Sequence, residues 1–107
     1  MSKVQEIFDA MPSRFKKDAA AGMNAVYQYD VTGDEGGKWY TAIADGELTV
    51  GQGEHENPNI TITVADTDYI DMVSGKLNGQ TAFLTGKLKI KGDMSLAMKL
   101  GTLFEQG

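Results

Sequence analysis

The chain has 107 residues, no cysteine, one histidine and a net charge of -5 at pH 7. That length predicts one domain spanning residues 1–107. The lack of cysteine excludes disulfides, thiol catalysis and thiolate-bound metal, and the acidic balance argues against non-specific nucleic-acid binding.

Near the N-terminus, Val4, Ile7, Phe8, Met11 and Phe15 recur at the spacing of one helical face. Pro12 interrupts this run and suits the first turn of a second short helix, where its missing N–H costs little. Gly22 closes the region. Period-two patterning follows in four stretches: Ala25, Tyr27, Tyr29 and Val31; Trp39, Thr41 and Ile43; Leu48 and Val50; Ile60, Ile62 and Val64. Asp45-Gly46 is a hairpin signal, because both turn positions need a positive φ. Short turns between the stretches predict an antiparallel sheet with one buried face.

Asp66 occupies an N-cap position ahead of Tyr69, Ile70, Met72 and Val73. Gly75 fits the left-handed residue that ends such a helix. Asn78 is placed to cap another short helix containing Ala82, Phe83 and Leu84. Lys87, Lys89 and Lys91 alternate with Leu88 and Ile90, a fifth strand whose lysines either guard a sheet edge or attract a phosphate such as that of coenzyme A. Asp93 then caps a final helix from Met94 to about residue 105. The order helix, four strands, helices, strand, helix predicts an α+β fold: a five-stranded, mostly antiparallel sheet with one face covered by helices.

The final helix is apolar on more than one face. Met94, Leu96, Ala97, Met98, Leu100, Leu103 and Phe104 are interrupted only by Ser95, Lys99, Gly101, Thr102 and Glu105. Such a helix must be buried, or must face the core on one side and a hydrophobic ligand on the other. The pattern alone leaves both open. Met11, Met72, Met94 and Met98 fall on apolar helical faces, which suits either core filling or a site for ligands of varied shape. A dry, rigid void of about 400 Å³ would cost on the order of 10 kcal/mol, comparable to the whole stability of a domain. A cavity is therefore expected to be wet, partly collapsed or filled with lipid.

Longer motifs narrow the choice. IFDAMPSRF, GKWYTAIADGELTV, ENPNITITVADTDYIDMVSGKLNG, TGKLKIKG and DMSLAMKL resemble, in order and over nearly the whole chain, the sterol carrier protein 2 family. The resemblance implies a stand-alone, non-catalytic lipid carrier with no cofactor and a hydrophobic tunnel between the inner sheet face and the C-terminal helices. It also implies positions near the ligand at Trp39 and Gln80. Ile43, Ile62, Met72, Phe83, Leu84, Met94, Met98, Leu100, Leu103 and Phe104 are wall candidates by pattern. Some relatives carry Gln where this chain has Met98, which implies a less polar tunnel end here.

The expected ligand is one long-chain lipid, a fatty acid, fatty acyl-CoA or sterol-like molecule, held non-covalently. Release is expected by opening at the C-terminal helix during transient contact with a membrane or an acyl-CoA enzyme. Two alternatives stay open: an accessory domain or enzyme component acting on acyl-CoA, and an interaction module whose groove takes a partner helix.

Other residues offer little chemistry. His55, between Glu54 and Glu56, reads as a solvent-exposed loop residue, and without a second histidine or any cysteine no metal site is expected. The three serines lie outside any G-x-S-x-G motif. No apolar run approaches the roughly 18 residues of a membrane span, the start lacks a signal-peptide core, and the end lacks a peroxisomal address, so a cytoplasmic protein is expected. Charge is uneven: residues 23–66 hold one lysine and eight acids, while each flank is slightly basic. This reads as a solubilising sheet surface, or as basic ends that recruit an anionic head group or membrane surface.

Overall fold

The computed structural model describes residues 3–104. Its elements are α1 (Lys3–Arg14), a 3₁₀ turn (Lys17–Ala20), β1 (Ala25–Thr32), β2 (Gly37–Ala44), β3 (Glu47–Gln52), β4 (Ile60–Ala65), α2 (Asp66–Val73), α3 (Gly79–Leu84), β5 (Leu88–Gly92) and α4 (Met94–Leu103). The strands form one sheet in the order β3-β2-β1-β4-β5. The fold is α+β, with a mixed sheet. Three pairings are antiparallel, and β1 with β4 is parallel.

The sheet is mostly antiparallel as expected; the parallel pair departs only from the antiparallel pairing that the four consecutive stretches suggest. The segment between β3 and β4 does not form a hairpin. It crosses the outer sheet face and delivers β4 to the far side of β1. Gln28, buried on that outer face, holds the crossing in place. Its amide donates to the carbonyls of Trp39 and Gly53, each at 3.1 Å, and its carbonyl accepts from the His55 N–H at 2.8 Å. A buried amide is stable only when its donors and acceptor are met in this way. His55 is accordingly part-buried rather than exposed. Its ring meets Tyr40 edge-on at 5.2 Å, and its Nδ1 accepts from the Asn57 N–H at 3.2 Å.

The inner face carries the core. Tyr27, Tyr29, Val31, Trp39, Thr41, Ile43, Ile60, Ile62 and Val64 are all buried, as period-two alternation requires. α1 packs on α2 and on the β3 end of the sheet, while α3 and α4 pack on β5 and β4. Under α1 the core is aromatic. Phe8 stacks on Trp39 at 4.7 Å and on Tyr69 at 5.6 Å, and meets Tyr29 edge-on at 5.1 Å.

Local signals mostly hold. Asp45 (φ 51°) and Gly46 (φ 78°) form the β2–β3 hairpin turn, and Gly75 (φ 85°) follows α2 in the left-handed region. Asn78 Oδ1 accepts from the N–H groups of Gln80 and Thr81, and Asp93 Oδ1 accepts from that of Ser95 at 3.0 Å. Two expectations shift. Pro12 sits within the last turn of α1, and the next short helix begins at Lys17. Asp66 is the first residue of α2, not its cap. Its carboxylate accepts from the N–H groups of Glu35 (3.0 Å) and Thr67 (2.7 Å), tying the β1–β2 turn to the helix start. Gly33 permits this approach, since its φ is +106° and a Cβ there would lie 2.5 Å from the Asp66 carboxylate. α4 ends at Leu103, and Glu105 lies outside the described residues.

Candidate functional site

A cavity of about 560 Å³ lies between the inner sheet face and the helices. Its floor is Tyr29 of β1, Ile62 of β4, and Leu88 and Ile90 of β5; Ile62 and Ile90 are direct cross-strand partners. Ile7, Met11 and Arg14, one stripe of α1, form one wall. Tyr69, Met72 and Val73 of α2 and Gly79, Gln80 and Phe83 of α3 form another. Met94, Ala97, Met98 and Leu100 of α4, with Phe104 beyond it, close the space.

α4 is held at its ends. The Asp93 N–H donates to the Asn59 carbonyl at 3.1 Å, and the Tyr27 hydroxyl donates to the Leu96 carbonyl at 2.8 Å. At the other end the Lys16 N–H donates to the Leu103 carbonyl at 2.7 Å, and Phe104 pairs with Phe15, their rings 5.6 Å apart. The stretch between these ties bridges the cavity. Phe83 (40% exposed), Met94 (43%) and Met98 (81%) line the space yet reach solvent, so the cavity has a mouth between α3 and α4. A sealed, dry void of this size would cost on the order of 13 kcal/mol, which an open mouth or a guest avoids.

Of the twelve residues singled out in the sequence, the structure gathers eight around the cavity: Ile62, Met72, Gln80, Phe83, Met94, Met98, Leu100 and Phe104. It puts four elsewhere. Trp39 is buried against Phe8, and its indole N–H donates to Gln5 Oε1 at 3.3 Å. Ile43 is core, farther along the same strand. Both lie on β2, whereas the floor is β1, β4 and β5; alternation fixes the face of a residue but not the strand above which a space opens. Leu103 turns into the core, and Leu84, the last residue of α3, is 75% exposed. Sequence reasoning missed Arg14, Tyr29, Tyr69, Ile7, Val73, Leu88, Ile90 and Ala97 as lining residues. For Arg14 a signal existed: it continues the Ile7–Met11 stripe at helical spacing, a charge where an apolar residue is expected.

The lining is apolar except at a few points. Arg14 is its one charged residue, part-buried and without an ion pair among the described residues. Two phenols, Tyr29 and Tyr69, are also among the lining residues. Burial pushes the Tyr29 phenol up, with the Thr41 hydroxyl 3.3 Å away partly opposing it. Burial raises Tyr69 well above the usual phenol range, opposed by the Arg14 charge. Both therefore stay protonated and can donate hydrogen bonds at neutral pH. No carboxylate or histidine lines the space among the described residues, and no cluster of possible metal ligands occurs there.

A model of the SCP-2 sterol transfer family matches residues 4–105. The chain belongs to this family. It is 37% identical over 106 residues to hydroxysteroid dehydrogenase-like protein 2 of Xenopus tropicalis, covering 98% of this chain and 25% of that protein. The chain thus spans about a quarter of the length of the curated relatives it matches. Among solved structures, sterol carrier protein 2 from Yarrowia lipolytica in its apo form superposes with a TM-score of 0.69 at 28% identity, covering 90% of this chain and 84% of that one. Sterol carrier protein 2 like 2 from Aedes aegypti gives 0.70 at 25% identity, covering 91% and 89%. Family and neighbours together support lipid binding or transfer in general. No helix of the described residues is long and apolar enough to cross a membrane.

Proposed function

We propose that the chain binds one long-chain lipid with an anionic end, a fatty acid or fatty acyl-CoA, non-covalently in the cavity and carries it between donor and acceptor. The observation that carries this reading is the cavity itself: about 560 Å³ of mainly apolar space with a single cation among the described residues, Arg14, in its wall. That volume lies within the range of about 300–1,000 Å³ usual for small-molecule sites. Each acyl methylene buried contributes about 0.8 kcal/mol, gross, and Arg14 offers a charge-assisted hydrogen bond to a carboxylate or phosphate. Gln80, Met72 and Phe83 contact the chain. Entry and exit run through the mouth between α3 and α4, with α4 moving as the opening wall.

A second reading follows from the relatives. Because the chain matches only about a quarter of their length, this domain can serve within or beside an enzyme, presenting its lipid to a separate catalytic domain. Both readings need the same cavity.

The test is native mass spectrometry and thermal unfolding with palmitate, its acyl-CoA and palmityl alcohol. Acid and acyl-CoA are expected to add their mass and raise the melting temperature, since only the folded state binds. Arg14→Gln should weaken the acid by about tenfold or more, the worth of a hydrogen bond to a charged group, and leave the alcohol unchanged. No added mass and no shift with any of the three, or with a sterol, would overturn the proposal.

A further inference from the structure

Four of the six methionines, Met11, Met72, Met94 and Met98, line the cavity. They come from three helices, α1, α2 and α4, so thioethers border the space on several sides. Their exposure is graded: Met11 is 7% exposed, Met94 43% and Met98 81%, with Met72 part-buried. The need for an apolar wall does not by itself account for them. Leucine gives a similar apolar surface with less rotamer freedom to lose, and at 81% exposure Met98 packs against little.

These sulfurs are also the readily oxidised groups of the lining among the described residues. The chain has no cysteine. Trp39 is buried beneath α1 and lies outside the lining, and His55 belongs to the crossing on the outer sheet face. An unsaturated acyl chain takes up oxygen along its length, not at its carboxylate. A hydroperoxide carried on such a chain therefore enters the apolar part of the space, among the thioethers.

We infer that the cavity methionines reduce fatty-acid hydroperoxides brought in as cargo and are themselves the residues modified. This rests on the carrier reading above. A thioether sulfur attacks the terminal oxygen of the hydroperoxide. The O–O bond breaks and an S–O bond forms. The hydroperoxide proton passes to the departing oxygen, so the cargo becomes a hydroxy fatty acid. The sulfur loses two electrons and the peroxide gains them, with no further reactant. Each methionine acts once, until a methionine sulfoxide reductase restores it. The sulfoxide is polar where the thioether was apolar, which weakens the grip of the wall on the acyl chain and favours release.

The test is peptide-mapping mass spectrometry of the full chain after incubation with linoleic acid hydroperoxide, and separately with tert-butyl hydroperoxide at the same concentration. Met23 is the internal control: it is part-buried like Met72 but lies outside the lining. With the fatty-acid hydroperoxide, Met72 is expected to gain oxygen at least about tenfold faster than Met23, because a bound reactant acts at a raised effective concentration. One hydroxy acid should appear per sulfoxide, and excess palmitate should suppress both. With the small peroxide, which acts from solution, Met72 and Met23 should react alike and Met98 first. In Met72→Leu, Met94→Leu and Met98→Leu combined, hydroxy acid formed per molecule of bound hydroperoxide should fall to about a quarter or less, since Met11 is the lining methionine left. Binding of the hydroperoxide without oxygen transfer, oxidation of Met23 as fast as Met72, or no protection by palmitate would overturn the inference and leave the carrier reading intact. Failure of both palmitate and the hydroperoxide to bind would overturn the carrier reading itself.

Discussion

One sheet face serves two opposite ends in this molecule. Over β1 and β2, α1 lays Phe8 onto Trp39, Tyr29 and Tyr69, and the space is full. Over β4 and β5, the short α3 and the bridging α4 leave about 560 Å³ unfilled. The strands themselves differ little, with alternating apolar residues inside and polar residues outside in both halves. What differs is the cover. A twelve-residue helix supplies aromatic volume on one side, while a six-residue helix and a helix tied at its ends span the other. The filled half is therefore expected to supply most of the stability, so that the other half can remain open without unfolding the domain.

This contrast can be broken from either side. The largest effect is expected for Phe8→Ala, which removes a fully buried ring with three aromatic neighbours and should cost about 3–5 kcal/mol, read by denaturant unfolding. An equal cost from truncating Phe83 at the cavity mouth would show that the two halves are not so divided. Filling the other half should act on binding instead. Ala97→Phe puts a ring into the cavity; displacing even two acyl methylenes loses about 1.6 kcal/mol, so fatty-acid affinity should fall by about tenfold or more. Unfolding of the ligand-free protein should change far less than with Phe8→Ala.

Smaller effects test how the open half is held. Tyr27→Phe deletes the hydrogen bond from β1 to the Leu96 carbonyl of α4 and should cost about 1 kcal/mol, with faster hydrogen exchange confined to α4. Asn78→Ala removes the cap of α3 and should cost about 1 kcal/mol. Alkaline pH probes the phenols. Burial, helped by the charge of Asp93, raises Tyr27 from 10.0 to about 12, and burial also raises Tyr29 and Tyr69. Their stabilisation is fully present below pH 10 and is lost as pH rises through 10 towards about 12, because the unfolded chain ionises first. Denaturation midpoints measured from neutral pH to pH 11 should fall in that window, less steeply in Tyr27→Phe.

Sequence reading succeeds here where the physics is local. The Asp45-Gly46 turn, the Asn78 and Asp93 caps and the alternation in each strand depend on neighbours a few residues away, and the structure has all of them. Long motifs pointed to the family and therefore to the fold. Pairing was less legible: Ile60, Ile62 and Val64 would read the same beside β3 as beside β1, and nothing in the intervening segment announces that it crosses the sheet. The cavity was legible as a surplus of apolar residues on the final helix and, through the family resemblance, as a space between the inner sheet face and the C-terminal helices, but not in which strands form its floor. Trp39 and Ile43 have the right face and the wrong strand. Arg14 escaped notice because a cation at the end of a helix is common for reasons of the helix dipole alone; only the space beside it gives it another meaning.

The crossing pinned by Gln28 sets an order of assembly. β1, β2 and β3 can zip together as neighbours soon after they emerge, but the central strand keeps one bare edge until β4 arrives from beyond the crossover. Parallel pairing of distant segments is slow to find, and an uncovered apolar strand edge invites pairing with another chain. A nascent or partly unfolded copy is therefore expected to be most vulnerable to aggregation while that edge waits, and substitutions at Gln28, which remove the hydrogen bonds that hold the crossing, should lengthen the wait as well as loosen the finished protein.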